Sequence, residues 1–186
     1  MSAPVIARHG GWMQTFSGSA FWPLDPRPEE ISLEDIARSL SMQCRYAGHV
    51  SRFYSVAEHC VLMAQRYLAV GGGDQVVLQQ MLMHDAPEAY LVDLPRPVKH
   101  SMPLYAETEE KVWQAICIRF QMYRPMLPIV KEFDNRILHD EKAALLSRSP
   151  MPWNLPHPHP LGVNIRGWMP EQAKAEFLHI ARVARL

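Results

Sequence analysis

Cysteine is scarce in this chain: Cys44, Cys60 and Cys117 are its only three, and no Cys-x-x-Cys pair occurs. An odd number at long spacings supports neither a disulfide framework nor a zinc ribbon, so free thiols in a reducing cytoplasm are expected. An excess of one charge is also missing. Nineteen basic and 19 acidic residues give a formal net charge of +0, which argues against a polyanion-binding field and a nucleic-acid polymer as partner. No run of about 18 apolar residues exists, so no membrane span is expected. The opening MSAPVIARHGGWMQTF lacks a basic stretch followed by a long apolar run and does not read as a secretory leader. Internal repeats are absent too. What the chain does have is 48% hydrophobic residues over 186 positions, enough for one globular domain with a real core.

The pattern along the chain is mostly helical. Residues 11–24, GWMQTFSGSAFWPL, place aromatic-rich runs on either side of Ser17-Gly18-Ser19 and read as a β-hairpin. DPRPEE at 25–30 is a turn, and Ser32 is placed to cap a helix to about Gln43. CRYAGHVSRFY at 44–54 reads as a loop or short hairpin around Gly48. Ser55 with Glu58 forms the pattern of a capping box for a helix that ends at Gly71-Gly72-Gly73. Asp74 caps the next helix, which is expected to carry His84, Asp85 and Glu88 near its C-terminal end before the prolines of VDLPRPVK (92–99) break it. Helices over 103–120 and 127–147 follow. The segment SPMPWNLPHPHPLG (149–162) is too proline-rich for a regular element and is expected to be an exposed loop, and Pro170 opens a last helix. The expectation is an all-α bundle with a small N-terminal β-hairpin.

The chemistry-bearing residues gather around HDAPE at 84–88, a charged group directly after Met81, Leu82 and Met83. Burying such groups without partners is costly, and a divalent ion is one partner that imidazole and carboxylate both accept. His84 and Glu88, four apart, are expected on one helix face. An HD dipeptide alone says little, and the chain contains a second, His139-Asp140. Company separates the two. The first has His59 upstream, Glu88 four residues on, and Asp134 about fifty residues downstream on an apolar helix. Asp134 and His139 are five apart, roughly 140° around a helix, so they should not converge; the second pair reads as solvated or structural. Two His and two Asp form a mixed nitrogen and oxygen site suited to one ion of Mn, Co, Fe, Zn or Mg.

The order His59, His84-Asp85, Asp134, together with SVAEH, HDAPEAYLVDLPRPVK and VKEFDNRIL, resembles the HD-domain phosphohydrolases. Within them it is similar to the small 5′-deoxynucleotidase and deoxynucleoside triphosphate triphosphohydrolase branch. The likeness runs from about Arg45 to Leu146, with the hairpin and the Pro-rich tail outside it. The resemblance implies an HD-domain helical fold, with His59, His84, Asp85 and Asp134 as metal ligands. Glu88 is implied as the residue orienting the attacking water, and Asp93 as an acid near the scissile ester. Arg45 is implied as the phosphate-holding arginine, with Arg96 and Lys99 as further phosphate contacts. Tyr46 stands beside the sugar, where the deoxynucleotidases usually have tryptophan. The substrate implied is a nucleoside 5′-phosphate, and assembly into a homo-oligomer is expected on family grounds alone. Two rivals are an HD-fold diiron oxygenase, which needs extra histidine ligands beside this core, and a non-catalytic HD binding module.

Overall fold

The computed structural model describes residues 7–186; the first six residues, part of the segment judged not to be a leader, lie outside it. Strands β1 (Met13–Gln14) and β2 (Ala20–Phe21) pair antiparallel, Met13 opposite Phe21, as the hairpin pattern predicts. The rest is helical: α1 (Leu33–Met42), α2 (Val56–Ala69), α3 (Gln75–Met83), α4 (Glu88–Leu91), α5 (Arg96–Lys99), α6 (Pro103–Phe120), α7 (Pro128–Leu145) and α8 (Pro170–Val183). Short 3₁₀ turns lie at Pro28–Glu30 and Arg45–Gly48. Among the described residues no helix is long and apolar enough to cross a membrane.

Helix α2 is the axis of the bundle, packed by α1, α3, α7 and α8. It is apolar nearly all round, so it buries every residue from Val56 to Ala64. Two of those residues, Glu58 and His59, are polar and fully enclosed, and each needs partners to offset its desolvation. Ser55 does cap α2, accepting from the Glu58 amide at 3.0 Å. The reciprocal half of the capping box is not made. The Glu58 carboxylate instead accepts from the backbone N–H groups of Arg166 (2.7 Å), Gly167 (2.9 Å) and Trp168 (2.6 Å). It thereby pins the segment that leads into α8. Gly167 has φ +72°, and a Cβ there would meet Arg52 at 2.9 Å, so this position needs glycine.

Of the two other expected caps, one forms. Asp74 accepts from Val76 and Val77 at the start of α3, whereas Ser32 occupies the α1 cap position without a side-chain bond. The larger correction concerns residues 84–88. Helix α3 stops at Met83, and Ala86 and Glu88 donate to carbonyls only three residues back before α4 begins. Residues 84–87 therefore form a tight turn between two helices, and Glu88 opens the second of them. Pro87 explains this, because its ring cannot continue the i→i−4 ladder.

Candidate metal centre

Three parts of the fold bring the proposed ligands together. His59 comes from the middle of α2, His84 and Asp85 from the α3–α4 turn, and Asp134 from α7. Position of α7 is set partly by buried Gln80, which donates to the carbonyls of Tyr123 and Pro125 and accepts from the Leu127 amide. His59 Nε2 lies 3.3 Å from His84 Nε2 and 3.4 Å from Asp134 Oδ1. Asp85 Oδ2 is 3.3 Å from His84 Nε2 and 3.7 Å from His59 Nε2. Ligand atoms of His59, His84 and Asp134 all fall within 4.8 Å of one another, as do those of Cys60, His84 and Asp85.

The tautomers follow from the partners. His59 Nδ1 sits 2.6 Å from Glu141 Oε1 and His84 Nδ1 3.1 Å from the Met81 carbonyl. Both partners only accept, so each Nδ1 carries a proton, and in the neutral rings each Nε2 turns a lone pair toward the other. Two lone pairs and two carboxylates aimed at one point repel unless a cation stands between them. The donor chemistry thus fits a divalent ion, which the cluster of His59, His84 and Asp134 is able to coordinate, with Asp85 beside it.

The electrostatics agree. Burial opposes ionisation of Asp85, but His84, His59 and Arg45 outweigh it and hold the carboxyl far below its usual range. Burial likewise pushes Asp134 up, yet the hydrogen bond and charge of His59 bring it down to about 2. For His84 burial favours the neutral ring, while Asp85 and Cys60 favour the cation and raise its pKa well above normal. The surroundings favour positive charge at this point, which a proton or a metal ion can supply in competition.

Glu141 is the residue the sequence reading overlooked. It is fully buried and, besides His59, it receives hydrogen bonds from Tyr54 Oη (2.9 Å) and Tyr46 Oη. Arg45 Nε lies 3.6 Å away. Burial raises its pKa, but Arg45 and His59 reverse this and leave it lowered. The only signal in the sequence was a Glu beside the dismissed second HD pair, on the same helix as Asp134 and two turns on.

A cavity of about 680 Å³ opens on the cluster, lined among others by Arg45, Tyr46, Asp85, Glu88, Asp93, Arg96, Lys99 and Asp134. Every proposed catalytic and substrate-binding residue therefore faces one space. A second cavity of about 680 Å³ shares Asp85, Lys99 and Asp134 with the first, so the cluster is reached from two sides. Arg45 is buried and bonds Asp85 Oδ2 at 3.2 Å. Arg96 is half exposed and pairs with Asp134 Oδ2 at 2.7 Å, and Lys99 pairs with Glu109 at 2.6 Å. Glu88 is buried, and its Oε2 has no hydrogen-bond partner. Burial first, and then the charges of Asp85 and Asp93, raise its pKa well above normal. Asp93 is raised as well, by burial and then by Asp85 against the opposing pull of Arg45.

Both walls of the cavity carry backbone strain. Tyr46 and Ala47 are left-handed at φ 58° and 51°, and Val92, just before Asp93, has φ 73°. Non-glycine residues hold such conformations only where the surroundings over-determine them, at roughly 1–3 kcal/mol each. Here the Arg45 amide donates to the Tyr54 carbonyl, and Tyr105 Oη donates to the Val92 carbonyl. Gln43 donates to the Glu88 carbonyl and accepts from the Asp93 amide, which makes it a positioning residue for both acids. The Pro-rich segment, expected to stand apart as an exposed loop, contributes Trp153 and Leu155 to the cavity lining.

No family model matches this sequence. The chain is 40% identical over 134 residues to the uncharacterized protein YfdR of Escherichia coli K12, an alignment covering 72% of each chain. It is 36% identical over 114 residues to the uncharacterized protein RCAP_rcc00048 of Rhodobacter capsulatus, covering 59% of this chain and 58% of that one.

Proposed function

This chain belongs to the family of YfdR, and we propose that it is a metal-dependent phosphohydrolase that cleaves the 5′-phosphate ester of (deoxy)nucleotides. The observation that carries the reading is the buried His/His/Asp cluster opening into a cavity whose lining also holds Arg45, Lys99, Glu88 and Asp93. The resemblance to the HD-domain phosphohydrolases supports the same conclusion. His59, His84, Asp85 and Asp134 would hold a divalent ion, which when bound would supply a Lewis acid for the phosphoryl group and make a nearby water more acidic.

The chain's own residues do the rest. Arg45 and Lys99 offer positive charge to the phosphate, the arginine with a planar fork suited to paired oxygens. Glu88 has a buried oxygen without a hydrogen-bond partner and lines the cavity beside the cluster, placed to take the proton from the attacking water. Asp93, whose pKa burial raises, donates a proton to the leaving 5′-oxygen. A monophosphate then yields nucleoside and phosphate; a triphosphate yields nucleoside and triphosphate by the same attack.

The test is direct. Metal-stripped protein reloaded with Mn or Co is assayed against nucleoside 5′-mono- and triphosphates. Nucleoside release that depends on the added metal is expected; no release from any of them would refute the reading.

A further inference from the structure

The lining of the cavity divides along α7. Asp134 belongs to the cluster, Leu138 lies one turn further along the helix, and Leu146 lies just past its end. At about 1.5 Å per residue, Leu146 is roughly 18 Å along the axis from Asp134. The cavity thus extends from a charged centre toward an apolar wall, where it is also lined by Tyr46, Trp153 and Leu155. The Trp153 and Tyr46 rings are 6.2 Å apart at 39°, and Lys142 Nζ stands 5.1 Å from the Trp153 ring centre.

Trp153 is held there although it sits in a segment without regular structure. The segment is tied to α7 at several points. His139 Nε2 donates to the His157 carbonyl at 2.7 Å, and Asp140 accepts from the Leu161 amide at 2.9 Å and the Gly162 amide at 3.1 Å. Arg136 donates to the Pro160 carbonyl at 3.1 Å. A half-buried indole on a fastened loop, facing a cavity whose other part binds phosphate, is suited to a planar apolar group joined to that phosphate by a short spacer.

We infer that Trp153 stacks on the nucleobase of the substrate and is the residue by which this cavity distinguishes a nucleotide from a base-free sugar phosphate. This rests on the functional reading above and adds a base-binding wall contributed by the Pro-rich segment. Base–aromatic stacking tolerates any base because every base has a π face, so the wall selects for a base without choosing among bases.

The experiment compares Trp153→Ala and Trp153→Phe with the parent chain in full-length, Mn-loaded protein. Affinities for a nucleoside 5′-monophosphate and for ribose 5-phosphate are measured by calorimetry in a Glu88→Gln background that halts turnover. KM and kcat are measured with Glu88 intact. Trp153→Ala should weaken nucleotide binding by about ten- to a hundredfold, raise KM far more than it lowers kcat, and leave ribose 5-phosphate unchanged. Trp153→Phe should restore most of the loss and shows that the alanine effect is not misfolding. Equal losses for both ligands, or no loss for either, would overturn the inference while leaving the hydrolase reading intact. If the parent releases phosphate from no phosphate ester, that reading falls, and the calorimetric comparison still decides the role of Trp153.

Discussion

The chain contains the same dipeptide twice, and the structure uses the two copies in different ways. His84-Asp85 sits in a tight turn where His84 donates through Nδ1 to a carbonyl, so that Nε2 faces His59 and the carboxylates. His139-Asp140 sits within α7, where His139 and Asp140 are spent on backbone groups of residues 157, 161 and 162. One pair points ligand atoms inward at a shared centre. The other fastens a loop. The difference lies in what surrounds each pair: acids and a second imidazole at the first, backbone amides and a carbonyl of a proline-rich segment at the second. A motif acquires its chemistry from the groups that compete for its hydrogen bonds.

The largest expected separation between the two pairs is at the metal. Asp85→Ala should abolish metal retention and turnover, a greater loss than the roughly 10–100-fold that removing an outer partner costs. Metal content after desalting, read alongside nucleoside release, checks this, and retention of the ion would remove Asp85 from the ligand set. Next in size is Glu141→Gln. It removes the charge behind His59 Nδ1 and beside Arg45, so metal affinity should fall by about 10–100-fold in a direct titration.

The same substitution should change the acid limb of stability in metal-free protein. Burial alone would raise the Glu141 pKa, but Arg45 and His59 lower it. A depressed folded pKa stabilises fully above the ordinary carboxylate value and loses that contribution as pH falls through the folded value. Thermal unfolding in EDTA from about pH 6 down to pH 3 should therefore decline less steeply in Glu141→Gln than in the parent. Parallel slopes would count against the pairing.

Glu58→Ala probes a buried acid on the same helix as His59 but outside the cluster. Loss of three amide bonds to a carboxylate should cost roughly 3 kcal/mol, read from denaturant unfolding, with the metal still bound by the folded protein. The smallest effect is expected at the second pair. His139→Ala should keep the metal and cost about 1 kcal/mol, with a modest rise in nucleotide KM as the Trp153 loop loosens. Loss of the ion in His139→Ala would mean that the two pairs do not divide the work in this way.

Much of this molecule was legible in one dimension, for physical reasons. Helix periodicity, the Ser55 and Asp74 caps, the triple glycine and the N-terminal prolines are local signals, so the helical bundle and the hairpin could be read directly. The candidate ligands His59, His84, Asp85 and Asp134 could be singled out by their order along the chain and its resemblance to the HD-domain phosphohydrolases. Tertiary structure decided the rest. Only three-dimensional packing turns the Glu58 carboxylate away from its own helix and toward residues 166–168, since distant amides compete better for a buried charge than the local one does. Glu141 became visible only once α7 lay against α2, because nothing within its own helix distinguishes a buried glutamate from a solvated one. Pro87 splits His84 and Glu88 between a turn and a new helix, and the proline-rich segment returns to the cavity because α7 ties it there. Sequence determined which groups needed partners, and the fold determined which partners they received.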